Sequence, residues 1–255
     1  MSAERDTVVL PLAGAGSRLG LPTPKELLPI GTGRVALDAT LDLLAPHTAR
    51  LRLLAVIADG REATVRYLKR RCAELGLPLA FAFQDPGLPE STGAVLGAQP
   101  WFGPATLVLL ADQVLHAPEP RAVGDILDLI HDGHPAAFLA ARETSVERLA
   151  TDGALLLNDP HDAHDRPRVV DFADKPGLEE ASRFNAVWFG YAVARSAARP
   201  FLRALHRATL RLPTPPADEA EPLLGLPVVE VGAFSDLGTW PAVTTYWTYR
   251  KDSQS

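Results

Sequence analysis

The chain carries a single cysteine, Cys72, in 255 residues. With no second thiol it forms no internal disulfide, which excludes a disulfide-stapled scaffold and points to a reducing compartment. No apolar run approaches the roughly 20 residues needed to cross a bilayer. The opening segment, Met1 to Asp6, is polar and of mixed charge, so it does not read as a secretory signal. Basic residues are outnumbered, 25 Lys and Arg against 31 Asp and Glu. A net charge of -6 lacks the basic footprint that binding to a nucleic-acid backbone requires. Internal repeats and low-complexity tracts are also missing. These absences set the expectation of a soluble, cytoplasmic protein with neither a membrane nor a nucleic acid as partner.

What is present is the composition of a folded domain, 47% hydrophobic and 22% charged. A chain of this length buries roughly 70–75% of its unfolded surface, so its core needs no metal or disulfide staple. Residues 7–12 (TVVLPL), 51–57 (LRLLAVI), 79–83 (LAFAF), 106–110 (TLVLL) and 136–140 (AAFLA) are short, continuously apolar runs. Such runs suit strands buried on both faces. Between them, 36–44, 62–75 and 122–130 space their apolar residues by three and four, as amphipathic helices do. Alternation of this kind predicts an α/β fold, a Rossmann-like and mostly parallel sheet covered by helices. Beyond about residue 141 the order changes: strands at 154–157, 169–172 and 186–193 lack a full helix between each pair. A helix over 196–210, a strand over 227–231 and a closing helix over 239–250 complete the reading. One domain over 1–255 results, with a small subdomain built on its second half, residues 142–255.

Chemistry is concentrated where the first strand ends. Leu12-Ala13-Gly14-Ala15-Gly16-Ser17-Arg18 is followed by Pro24-Lys25-Glu26-Leu27-Leu28-Pro29-Ile30. Glycines directly after a first strand let backbone N–H groups approach phosphate oxygens. Arg18 can fork onto a pyrophosphate and Lys25 can place a point charge on another phosphate. A tight turn flanked by two surface cations is the plain alternative. The loop is not the dinucleotide fingerprint, because the third glycine is missing, nor a Walker loop, because Gly-Lys-Ser/Thr is absent.

Together these two segments resemble the signature loop of the sugar-1-phosphate nucleotidyltransferases, which include the glucose-1-phosphate thymidylyl- and uridylyltransferases. Leu109-Leu110-Ala111-Asp112, Val170-Asp171-Phe172-Ala173-Asp174-Lys175-Pro176 and Phe234-Ser235-Asp236-Leu237-Gly238-Thr239 extend the resemblance in the expected order. It implies transfer of a nucleotidyl group from an NTP, dTTP or UTP by preference, to a sugar-1-phosphate with release of pyrophosphate. Arg18, Lys25 and Lys175 become the catalytic cations, with Lys175 anchoring the sugar phosphate. Ala13, Gly14, Gly16, Gln84, Asp174 and Asn185 become the binding residues. Gln84 meets the base edge and Asp174 stands where many relatives carry a glutamate that holds sugar hydroxyls. Asp112 and Asp236 become ligands of Mg²⁺, a hard cation that takes oxygen donors. Read alone, Asp112 suits a turn cap as well as a metal, and Asp236 an N-cap of the closing helix.

Three departures leave the substrate pair open. Residues 85–94 (DPGLPESTGA) lack the expected glycine, and the best register places Glu90 or Thr92 near it. Asp174 is one methylene shorter than glutamate. The pocket strand, Asn185-Ala186-Val187 to Gly190-Tyr191, is one residue longer than the family pattern. Cytidylyl or guanylyl transfer to a non-glucose acceptor such as a cyclitol phosphate, or a catalytically silent nucleotide-sugar-binding relative, are the competing readings. His161 and His164 sit in a charged loop that reads as solvated. The aromatic residues near the C-terminus suit packing or a contact in a homo-oligomer.

Overall fold

The computed structural model describes residues 4–14, 19–20, 23–159, 165–210 and 221–252. In chain order the elements are β1 (Asp6–Pro11), β2 (Pro29–Gly31), β3 (Arg34–Val35), α1 (Ala36–Leu44), β4 (Leu51–Ile57), α2 (Glu62–Leu75) and β5 (Leu79–Phe83). Then come α3 (Glu90–Gly97), β6 (Ala105–Leu109), β7 (Gln113–Leu115), α4 (Pro120–His131), β8 (Ala136–Arg142) and α5 (Val146–Thr151). The remainder is β9 (Gly153–Leu157), β10 (Val169–Asp174), α6 (Leu178–Ala181), β11 (Ala186–Ala194), α7 (Ala198–Thr209), β12 (Val228–Glu230), β13 (Phe234–Asp236) and α8 (Trp240–Asp252).

The main sheet has nine strands in the order β10-β9-β11-β6-β1-β4-β5, with β8 beside β11 and β12 beside β8. Its central ladder β6-β1-β4-β5 is parallel. Following the pairings outward, β8, β9 and β12 share that direction while β10 and β11 oppose it. The sheet is therefore mixed but mostly parallel, as the apolar runs predict. Val8, Val9 and Leu10 are all fully buried because both faces of β1 are covered.

One face packs against α1, α2 and α4 through residues such as Leu41, Leu68 and Ile126. The other packs against α3 and α7 through Val95, Phe201 and Leu205. Each such fully buried side chain contributes ~1.5–3 kcal/mol of transfer free energy. The helix α2 stops at Gly76, whose φ of 66° is the left-handed conformation that glycine reaches without a Cβ penalty. A smaller cluster of Leu19, Leu28, Ile30, Leu237, Val243 and Tyr246 ties the segment after β1 to α8.

Strand β11 creates the opening that matters for function. β8 runs along it from Ala186 to Val193, so β6 and β9 share its other edge. β6 pairs with Gly190–Ala194 and β9 takes over at Ala186 and Val187. The sheet forks there, the carboxyl end of β6 facing the amino end of β9. Ligands bind beyond the carboxyl ends of strands at such points in open α/β sheets.

Candidate functional site

A cavity of about 1140 Å³ occupies this fork. Ala13 and Gly14 after β1, Lys25 and Gln84 line its first side. Asp112, Asp174, Lys175 and Asp236 line the rest. Eight positions picked out from sequence thus converge from segments more than 200 residues apart. Gly16 and Arg18 lie outside the described residues, as do His161 and His164. Asn185 is not among the lining residues. Its amide is engaged in the sheet, accepting from Leu157 N at 2.8 Å and donating to Leu157 O at 2.9 Å.

Lys25 is presented by a single helical turn over Lys25–Leu27, stiffened by Pro24 and Pro29 on either side. The adjacent Glu26 points inward, where its buried carboxyl accepts from Thr64 Oγ1 of α2 at 2.6 Å. Fixed this way, Lys25 Nζ donates to Asp112 Oδ2 at 2.5 Å. Burial opposes the charge on Lys25, but Asp112, Asp236 and Glu26 outweigh it and raise the ammonium pKa. The backbone of Ala13 and Gly14 is held from outside by Arg61, whose guanidinium donates to both carbonyl oxygens.

Asp112 and Asp236 are brought side by side by the pairing of β7 with β13, Leu237 N donating to Asp112 O at 2.8 Å. Asp236 ends β13 and its Oδ1 accepts from Gly238 N at 2.7 Å, a local turn. It does not cap α8, which starts at Trp240. Burial and the like charge of Asp112 push the Asp236 carboxyl up to about 6. Two enclosed carboxylates that repel each other form a hard oxygen donor set, which a divalent cation such as Mg²⁺ would relieve. The donor set fits that ion, which uses one or two carboxylates and completes its shell with water and phosphate.

Lys175, also on the cavity lining, takes φ 52°, a left-handed conformation seen at one other non-glycine among the described residues. Its N–H donates to Asp152 O at 3.0 Å and its Nζ lies 3.6 Å from Asp174 Oδ2. A strained residue fixed between neighbours is a common feature of ligand clamps. Sequence reasoning missed Arg148, Gly153 and Trp188, which line the same cavity as Glu90. Arg148 is steered by Glu143 and Asp152, at 3.2 Å each, and lies over the Phe234 ring at 4.3 Å. The Trp188 indole crosses Gly153 so closely that a Cβ there would fall 2.7 Å from its Cε2. Spacing carries no signal for this contact, because it joins two strands across the fork.

Elsewhere, His131 is exposed at the end of α4 and pairs with Asp6 at 3.0 Å. Cys72 is buried in α2, and burial pushes its thiol up to about 11, away from reactivity. The C-terminal aromatics are partly exposed: Trp240 donates to Leu19 O and Trp247 to Pro29 O, each at 2.9 Å, and Tyr249 stacks on His116. No described helix is long and apolar enough to cross a membrane.

No family model matches the chain. It is 31% identical over 173 residues to the bifunctional protein GlmU of Rhodococcus jostii (strain RHA1), across 56% of this chain and 34% of that protein. Identity is also 31% over 169 residues to 2-C-methyl-D-erythritol 4-phosphate cytidylyltransferase of Xylella fastidiosa (strain M23), across 60% of this chain and 65% of that enzyme. The chain thus spans about a third and just under two thirds of these two curated relatives. In fold it is similar to an apo UDP-glucose pyrophosphorylase, with a TM-score of 0.74, 16% identity, and coverage of 98% of this chain and 100% of that one. The chain is thus similar in part of its sequence to a cytidylyltransferase and in fold to a UDP-glucose pyrophosphorylase.

Proposed function

We propose that the protein transfers a nucleotidyl group from an NTP to a sugar-1-phosphate. An acceptor phosphate oxygen attacks the α-phosphorus, a new P–O bond forms, and the bond to the leaving pyrophosphate breaks. The nucleophile arrives already ionised, so no covalent enzyme intermediate is needed. The observation that carries the reading is the convergence of Lys25, Asp112, Asp236 and Lys175 on one cavity beside the loop that follows β1.

Roles follow from charge and place. Residues 1–141 hold the nucleotide and 142–255 mainly the acceptor. Backbone N–H groups around Ala13, Gly14 and Gly16 cradle phosphate oxygens, Arg18 takes the leaving pyrophosphate and Lys25 the α-phosphate. Lys175 holds the acceptor phosphate, and Asp174 is placed to accept from acceptor hydroxyls. Asp112 and Asp236 would hold Mg²⁺, which when bound supplies charge neutralisation between the phosphates. Catalysis is then positioning plus electrostatic stabilisation of charge that develops in the transition state. Gln84 by itself suits uracil or thymine, whereas similarity to a cytidylyltransferase favours cytosine.

The test is pyrophosphate release with Mg²⁺ over a grid of five NTPs and several sugar-1-phosphates and cyclitol phosphates. Release that needs both substrates supports the transferase. NTP binding without release on any acceptor points to the silent relative, and folded protein that binds no NTP overturns the reading.

A further inference from the structure

The loop that follows β5 bears on which base the site accepts, an inference that rests on the nucleotidyl-transfer reading. Gln84 donates its side-chain nitrogen to Leu88 O at 2.9 Å and to Glu90 O at 3.2 Å. Both partners are backbone carbonyls, which only accept, so the orientation of the amide is fixed and both of its N–H groups are engaged. What Gln84 has left for a ligand in the cavity is Oε1, an acceptor.

Glu90 supplies the second observation. Its φ of 65° lies in the left-handed region, where glycine sits without strain and glutamate does not. This settles the register that the sequence leaves open, since Glu90 rather than Thr92 takes the glycine-like backbone. The loop is pinned around it. Leu88 N donates to Asp85 O at 2.9 Å, and Thr92 Oγ1 pairs with His206 Nδ1 of α7 at 2.9 Å. At Gly93 a side chain would collide with Leu88 O and meet the His206 ring at 3.0 Å, so the chain at Gly93 passes directly against the turn and α7. The Glu90 side chain is exposed and lines the same cavity as Gln84. A glutamate carboxylate, like Gln84 Oε1, is an acceptor.

We propose that Glu90 and Gln84 together select an NTP whose base carries an exocyclic amino group over one carrying uracil or thymine. The edges of uracil and thymine run acceptor, donor, acceptor. Their single N3–H can satisfy Gln84 Oε1, but a flanking carbonyl then faces the Glu90 carboxylate. The amino group of cytosine, guanine or adenine instead donates to the charged carboxylate, and guanine alone adds an adjacent N1–H for Gln84 Oε1, the neighbouring ring nitrogen of cytosine and adenine being an acceptor. Discrimination arises as much from the unpaired acceptors opposite uracil as from the bonds made to an amino group.

Equilibrium binding of the Mg²⁺ complexes of UTP, dTTP, CTP, GTP and ATP to the full chain tests this without an identified acceptor. The expected result is tenfold or tighter binding of at least one amino-bearing NTP than of UTP and dTTP, the tightest naming the base. Glu90→Gln, which exchanges one acceptor oxygen for a donor, should narrow that gap at least threefold. Glu90→Gly relieves the left-handed backbone, so it should fold and also lose discrimination. Binding of UTP or dTTP as tight as that of every amino-bearing NTP overturns the proposal while leaving nucleotidyl transfer intact. An unchanged ranking in both variants overturns the role of Glu90. Failure of all five to bind overturns this proposal together with the transfer reading beneath it.

Discussion

Lys25 Nζ and Asp112 Oδ2 stand 2.5 Å apart across the cavity floor, joining the segment after β1 to the segment after β6. Each is the other's counter-charge in the absence of substrate. The lysine is held in place by a buried partner of its neighbour, Thr64 on Glu26, so the pair is positioned from the core rather than from the surface. A triphosphate entering the site would offer Lys25 a competing anion and free Asp112 to serve a cation. The pair is thus a resting arrangement that substrate and metal would exchange together.

Removing the carboxylate charge tests that reading. Asp112→Asn keeps the side-chain volume and should lower pyrophosphate release by about 10²–10³-fold, the scale on which loss of one preorganised electrostatic group acts. The melting temperature should stay within a few degrees of the parent, because loss of the Lys25 pairing is offset by relief of the repulsion between Asp112 and Asp236. Near-normal turnover in this variant would sink the metal assignment.

Metal binding should depend on pH through Asp236. Its carboxyl is pushed up to about 6, so below that pH a cation must displace a proton before it binds. Apparent Mg²⁺ affinity should fall as pH drops from 7 to 5 and level off above 7, as titration calorimetry at three pH values would record. The linked stability effect has the opposite sense. Without metal the folded form takes up this proton before the unfolded form does, so Asp236 contributes greater stability as pH falls from about 6 toward its ordinary value of 3.8. Affinity that is flat from pH 5 to 7 contradicts the assignment.

Gly153 lies on the cavity lining against the Trp188 indole, on the side proposed for the acceptor, and it has no room for a methyl group. Gly153→Ala should cost about 1–3 kcal/mol of stability through overpacking and raise KM for the acceptor phosphate more than KM for the NTP. Pairing it with Trp188→Leu should restore part of the stability. If Gly153→Ala alone leaves both the melting curve and the acceptor KM unchanged, the indole does not shape that side of the pocket.

Much of this arrangement is legible in sequence because buried parallel strands are written as unbroken apolar runs. Residues 51–57, 79–83, 36–44 and 62–75 have the same bounds in the structure as in the pattern. The loop after β1 and Asp112 stand at the ends of such runs, whereas Lys25, Lys175 and Asp236 are picked out through the resemblance to the family's motifs. Short elements escaped: β7 and β13 are three residues each, too short for a period, although their pairing is what joins Asp112 to Asp236. Asn185 bonds the Leu157 backbone, a pairing across strands that spacing does not show. The extra residue in the pocket strand has a physical form. A bulge between Trp188 and Gly190 places Ala140 and Leu139 opposite these two residues, leaving Phe189 without a counterpart in β8. No spacing rule predicts that, nor that the indole then lands on Gly153.

The last test concerns the scaffold behind Lys25. Asp38 is buried at the third position of α1 and accepts from Val35 N at 2.9 Å, Tyr67 Oη at 2.6 Å and Arg71 Nε at 2.9 Å. Burial works against its charge, but these three donors outweigh it and hold the carboxyl below its ordinary value of 3.8. Burial and Asp38 together push the Tyr67 hydroxyl up to about 12. Asp38→Ala leaves three donors unanswered, so it should cost about 2–3 kcal/mol at pH 7. Because the folded carboxyl binds its proton less readily than the unfolded one, the stabilisation is present above pH 3.8 and is lost as pH falls through the folded-state value. Denaturant titrations at pH 7 and pH 3 should therefore show a gap between parent and variant that narrows on acidification. An equal gap at both pH values would mean that packing around Asp38, rather than its charge, ties α1 to α2.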